Sequence, residues 1–221
     1  MFRDRLDAAG RLAAKLQRYR NRKDALILAV PRGGLPIGGV LARELGLKLD
    51  VILTKKIGHP VNPEFAIGAV SLTDATIDAA LVERERIPSD FIASEIARIR
   101  ESLRQRYRMY RGAARPLPVA GKTVILTDDG AATGRTLLAA IELLRSEGAE
   151  QIVVALPVAP PDAVQALERR ADEAVCLEVP GDFMAIGQFY EDFSQVTDEE
   201  ALSILKGRAL SAPGENAPAA N

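Results

Sequence analysis

The chain has one cysteine, one histidine and no tryptophan among its 221 residues. A single cysteine excludes an internal disulfide framework, and one Cys with one His excludes a zinc site of the usual spacing. Neither charge dominates: 29 basic residues face 30 acidic ones, so nothing in the bulk charge calls for nucleic acid or a membrane surface as partner. No apolar run reaches the length of a membrane span, and the opening FRDRLDAAGRLAAKL is charged throughout, without the apolar centre of a secretory signal. The expectation is a cytoplasmic protein. A 48% hydrophobic composition over this length suits one α/β domain with an embellishment.

The present signals are organised around strands. Runs at 25–30, 49–54, 123–128, 151–158 and 173–179 read as buried strands. They alternate with helical segments at about 35–45, 88–112, 135–147 and 161–171. This predicts an α/β fold, a doubly wound and mainly parallel sheet with flanking helices. Phe2, Leu6, Ala9, Ala13 and Leu16 recur at helical spacing and predict an amphipathic N-terminal helix packed on the core. Residues 1–206 read as one domain, with a mobile flap at about 55–87 and a hood segment at about 179–197. The small, polar tail 207–221 reads as disordered. The helix from Ser89 carries Arg98, Arg100, Arg104, Arg106, Arg108 and Arg111, at offsets too varied to share one face. A solvated face with salt bridges is the reading, and a subunit contact or polyanion patch is the alternative.

The chemistry concentrates in VILTDDGAATGRT, from Val124 to Thr136. An apolar strand ends in Asp128 and Asp129, at the edge where open α/β sheets bind ligands. Gly130, Ala131, Ala132, Thr133 and Gly134 carry little side chain, so the backbone can point N–H groups at one anion beside a helix N-terminus. Thr133 and Thr136 add hydroxyl donors; the acids suit sugar hydroxyls or water held by a hard cation. Arg135 stands where a nucleotide-binding P-loop needs lysine, which sets an ATPase aside. An ordinary strand-to-helix turn and a phospho-acceptor aspartate are the competing readings. Pro31-Arg32-Gly33-Gly34 forms a second loop after the first strand, where Arg32 offers a planar fork of donors and the glycines allow close approach to a second phosphate.

These residues resemble the PRPP-binding motif of type I phosphoribosyltransferases. The resemblance implies that Asp128 and Asp129 hold the ribose hydroxyls of PRPP and, through water, Mg²⁺. Ala131 to Thr136, with Arg135 among them, then cradle the 5′-phosphate. The loop Arg32, Gly33, Gly34 is similar to the family's pyrophosphate loop. Lys55 and Lys56 resemble the basic pair preceding the catalytic loop of adenine and orotate enzymes, which makes Lys56 the candidate contact to pyrophosphate. Two positions depart from the motif: Gly130 replaces the usual aliphatic residue, and Ala132 replaces the aspartate by which hypoxanthine-guanine enzymes serve the purine N7.

In the flap, His59 is a candidate for proton transfer or a phosphate contact, with a plain surface histidine as the competing reading, and Glu64 is a candidate for accepting a proton from the incoming base. Phe183, Phe189, Tyr190 and Phe193 form an aromatic cluster similar to the hood of 6-oxopurine enzymes; it would stack on a base or seal a core. PRGG, NPEFAIGAV and GQFYEDFSQVTDEE together are similar to bacterial phosphoribosyltransferase-domain proteins of undefined acceptor, over residues 1 to about 205. The implied activity is transfer of phosphoribose from Mg²⁺-PRPP to a small nitrogenous base, purine or pyrimidine, with release of pyrophosphate and homodimers common in the family. The alternative is a PRPP-binding regulator without catalysis.

Overall fold

A computed structural model of the chain describes residues 1–63 and 65–207. Helix α1 (Arg5–Lys15) leads into strand β1 (Ala25–Ala29), helix α2 (Gly34–Leu45) and strand β2 (Lys48–Val51). Three short strands follow, β3 (Lys55–Gly58), β4 (Ala66–Val70) and β5 (Ala75–Ile77), then helices α3 (Ala79–Arg84) and α4 (Ser89–Arg111). The chain returns through β6 (Thr123–Thr127), α5 (Arg135–Ser146), β7 (Gln151–Val158), α6 (Pro161–Glu168) and β8 (Glu173–Glu178), and the described part closes with α7 (Asp198–Leu205).

The main sheet has the order β2-β1-β6-β7-β8, with every pair parallel. β1 and β6 are buried at every position, which is why they read as unbroken apolar runs rather than as alternating ones. One face packs on α1 and α2 through Phe2, Leu12, Leu16, Ile37 and Leu41; the other packs on α5 and α6 through Leu137, Ile141, Leu144 and Leu167. Each such side chain contributes about 1.5–3 kcal/mol on burial. α1 is thus part of the core, as its spacing predicts. The second strand stops three residues short of its expected end: Ile52 N–H makes the last bond, to Ala29, because β1 turns away at Pro31.

The 55–87 segment holds a separate antiparallel sheet, β3-β4-β5, followed by α3. Lys55 and Lys56, expected just past the end of the second strand, therefore belong to β3. Ile57, Ile67 and Val70 form an apolar face against Ile99, Leu103 and Tyr107 of α4 and Ile204 of α7. At the far end of this sheet the hydroxyls of Ser71 and Thr73 both donate to Glu147 at the end of α5. α4 buries Ile99, Leu103, Tyr107 and Tyr110 and turns most of its arginines outward, with Arg98 on Glu95 and Arg104 near Glu101. Arg111 instead turns inward to the buried Asp50, which also accepts from Tyr107 Oη at 2.9 Å and Leu117 N at 3.0 Å. The tail expected to be disordered lies, from residue 208 on, outside the described residues.

Candidate functional site

Two loops meet at the carboxyl edge of the main sheet because their strands are neighbours. β1 and β6 run in register, Ala29 beside Thr127, and Val30 N–H donates to Thr127 O at 2.9 Å. Beyond that bond, Pro31 to Gly34 and Asp128 to Gly134 turn toward each other. The Pro31–Arg32 peptide is cis. A Cβ built on Gly33 would lie 2.2 Å from Asp129 Oδ2, and one on Gly34 would lie 2.9 Å from the Asp128 Cα. Only residues without side chains let these loops touch.

Asp129 is nearly sealed, at 8% exposure. Its Oδ2 accepts from Arg5 Nε at 2.9 Å and pairs with Arg5 Nη2 at 2.8 Å. Its backbone carbonyl accepts from Tyr190 Oη at 2.7 Å. Asp128 is partly open to solvent yet enclosed by protein atoms, and its Oδ1 accepts from Asp129 N at 2.9 Å. Burial pushes the Asp128 carboxyl well above the usual carboxylate range, and the adjacent Asp129 charge adds to it. Burial also raises Asp129, against the opposing pull of Arg5. One oxygen of each acid, Asp128 Oδ2 and Asp129 Oδ1, accepts no hydrogen bond from another of the described residues. Both can accept from a ligand's hydroxyl groups.

The loop that follows is closed by Ala131 N–H, which donates to Val158 O at 3.0 Å on β7. Gly134 takes a left-handed φ of 69°, a conformation that admits glycine freely, and starts α5 with no side chain capping it. The first N–H groups of α5 are left for solvent or an anion. Ala132, Thr133, Arg135 and Thr136 are exposed around this turn. Gly130 has its own reason: a Cβ there would lie 2.7 Å from Ile186 Cγ2 and 3.1 Å from Val158 O. An isoleucine from the hood occupies the space beside the loop at this position.

The remaining candidates are more scattered. Arg32 Nη1 lies 3.3 Å from Asp198 Oδ1 in the first turn of α7. Lys56 is exposed on β3. His59 Nδ1 accepts from Val61 N at 3.2 Å, and its ring meets the edge of Phe65, so its place is in the β3–β4 turn. Glu64 lies outside the described residues. In the hood, Phe183 and Phe189 stack on each other at 5.5 Å. Of the two readings left open for the aromatic cluster, Tyr190 takes the core one and not the base-facing one: it is 5% exposed, packs on Phe2 and Phe193, and spends its hydroxyl on Asp129. Burial raises its phenol well above the ordinary range. Phe193 lies under the Arg5 guanidinium, 3.9 Å from ring centre to carbon.

Arg5, Ile186 and Asp198 were not legible as site residues. Arg5 did leave a signal: it falls three, four and seven residues before Ala8, Ala9 and Leu12, on the buried stripe of α1. A charge on an apolar stripe needs a partner, and Asp129 supplies it.

Among the described residues, no helix is long and apolar enough to cross a membrane, and no group of three metal-ligating acids, histidines or cysteines occurs. The chain is similar to a Mycobacterium tuberculosis protein provisionally named a phosphoribosyl transferase, with 36% identity over 211 residues in each of two strains. That alignment covers 93% of this chain and 46% of the relative, so the chain spans about half the length of the curated relatives it matches. The crystal structure of TT1426 from Thermus thermophilus superposes with a TM-score of 0.80 at 41% identity, covering 94% of this chain and 99% of that one. The phosphoribosyl transferase domain model matches residues 2–194, which include both loops, Arg5 and most of the hood. The chain belongs to the phosphoribosyl transferase domain family.

Proposed function

We propose that the protein transfers the phosphoribosyl group of PRPP to a small nitrogenous base and releases pyrophosphate. The observation that carries this reading is the meeting of two ligand-ready loops on adjacent parallel strands, brought so close that glycine is required at 33 and 34. Asp128 Oδ2 and Asp129 Oδ1 accept from the ribose 2′- and 3′-hydroxyls. The backbone from Gly130 to Thr136, with the Thr133 and Thr136 hydroxyls and the α5 N-terminus, receives the 5′-phosphate. The acids and the phosphate loop thus grip opposite ends of one ligand, which avoids placing phosphate on carboxylate.

In the reaction, the bond from C1 of the sugar to pyrophosphate oxygen breaks and a bond from C1 to the base nitrogen forms; the base loses its proton, which the leaving pyrophosphate or solvent takes up. The transition state is oxocarbenium-like, so the chain's part is positioning and electrostatics. Arg32 steadies the leaving pyrophosphate, with Lys56 as its second cation. Arg32 is free to do so at little cost, because an exposed pair such as Arg32–Asp198 is worth about 0–1 kcal/mol. The acids at the sheet edge stabilise positive charge on the sugar. The donor set fits Mg²⁺ that arrives on the pyrophosphate and keeps most of its waters: two adjacent carboxylates, and no third acid, His or Cys grouped with them among the described residues. Such an ion supplies neutralisation of the pyrophosphate's charge.

The test is pyrophosphate release from Mg²⁺-PRPP over a panel of purine and pyrimidine bases, with a no-base control and the Asp128→Ala/Asp129→Ala variant. Base-dependent release that the variant loses supports the reading. PRPP binding without release from any base would point to a PRPP-dependent regulator.

A further inference from the structure

Arg5 comes from outside both motifs and is, among the described residues, the one cation paired with Asp128 or Asp129. Its Nε and Nη2 both contact Asp129 Oδ2, at 2.9 and 2.8 Å, its Nη1 donates to Ser194 O at 2.8 Å, and its carbon lies 3.9 Å over the Phe193 ring. Both side chains of the ion pair are 11% exposed. A guanidinium so placed has three neighbours fixed at once, and its flat fork cannot rotate without losing one of them.

The direction of the contact matters. Both Arg5 nitrogens use the same carboxylate oxygen, so Asp129 Oδ1 is left open and a ligand hydroxyl need not displace the arginine. The Asp129 backbone is held independently, by Tyr190 Oη on its carbonyl. The hood is also held independently: Phe2 N–H donates to Phe189 O, and Glu191 and Asp192 N–H donate to Phe2 O and Arg3 O. Removing the guanidinium therefore leaves the loop and the hood attached. What it frees is the carboxylate's orientation and the link between that carboxylate and Ser194.

We propose that Arg5 is a positioning residue of the sugar-phosphate site: one guanidinium presents Asp129 Oδ1 to the ribose and ties the hood at Ser194 to that grip. The proposal rests on PRPP as the ligand. Binding of PRPP at Asp129 then steadies Arg5 and, through it, the hood segment 189–194. In this arrangement α1 is a component of the site and not only of the core.

The experiment is calorimetric titration of PRPP into wild type, Asp129→Asn, Arg5→Gln, Arg5→Lys and the double variant Arg5→Gln/Asp129→Asn. Arg11→Gln is the control, since Arg11 pairs with Asp7 on the same helix away from the acids. Thermal melts run alongside. Arg5→Gln should weaken PRPP by roughly tenfold to hundredfold, the scale of a misplaced contact group. Arg5→Lys should recover part of the loss, and the double variant should be no weaker than Asp129→Asn, because Arg5 acts through that acid. Arg11→Gln should match wild type. At saturating PRPP, amide exchange over 189–194 should slow in wild type and less so in Arg5→Gln. Wild-type affinity in Arg5→Gln, tighter binding, or additive losses in the double variant would overturn the proposal. If Arg5→Gln does not fold, a folded Arg5→Lys with full wild-type affinity overturns it equally. Failure of wild type to bind PRPP sinks the functional reading itself; wild-type binding with indifferent Arg5 variants sinks this inference alone.

Discussion

Gly33 lies so close to Asp129 that a methyl group at position 33 would come within 2.2 Å of the carboxylate oxygen already held by Arg5. Gly33 has a helical backbone, φ −57° and ψ −38°, which alanine adopts freely. The penalty of Gly33→Ala is therefore steric and falls on Asp129. The substitution should weaken PRPP about tenfold or more and cost about 1–3 kcal/mol of stability as overpacking. In an Asp129→Ala background the stability cost should nearly vanish. Wild-type affinity in Gly33→Ala would mean that the two loops are not in contact.

Gly130 and Ile186 make a second reciprocal pair, between the loop after β6 and the hood. Gly130→Ala puts a methyl 2.7 Å from Ile186 Cγ2. It should cost about 1–3 kcal/mol, and Ile186→Ala should restore much of that in the double variant. Denaturant melts of the four proteins give the coupling directly. Additive losses would show that Val158, on the other side of Gly130, sets the limit instead.

Away from the site, Tyr107→Phe tests the buried Asp50. That carboxylate is fully buried and keeps Arg111, Leu117 N and Val51 N as neighbours when the hydroxyl is lost. Removing one of several partners of a buried charge should cost about 1–3 kcal/mol. PRPP affinity should not change. A loss of affinity with unchanged stability would place this network in the ligand's path.

How much of this was legible depends on the kind of signal. The five strands of the main sheet show as largely apolar runs, most clearly β1, β6 and β7 where both faces are covered, and the two loops show because glycines and paired acids sit at strand ends. The β3-β4-β5 sheet did not show, since strands of three to five residues broken by Pro60 and Pro63 leave too short a period to read. α7 carried a readable start, Thr197 with Glu200 as a capping box, that went unread beside the aromatic cluster. Tyr190 could not be assigned between base and core because burial, and not its residue type, decides whether an aromatic face is available. Arg5 needed a partner more than a hundred residues away, a distance no local pattern encodes.

Asp128→Asn should stabilise the protein at neutral pH while weakening PRPP binding and turnover. Burial and the Asp129 charge raise the Asp128 carboxyl well above its ordinary range, so the folded chain holds that proton more tightly than the unfolded one. Between the ordinary carboxylate pKa of about 4 and the raised value, the folded state binds more protons, so stability falls as pH rises through that window. Asparagine removes the ionisation and keeps an oxygen to accept from Asp129 N–H. Melts of wild type and Asp128→Asn should therefore converge near pH 4 and separate toward pH 7, the variant melting higher by about 2–4 °C per kcal/mol at this chain length. A variant less stable than wild type at pH 7 would show that the Asp128 charge is compensated in the folded protein, and that the acids meet a ligand already balanced.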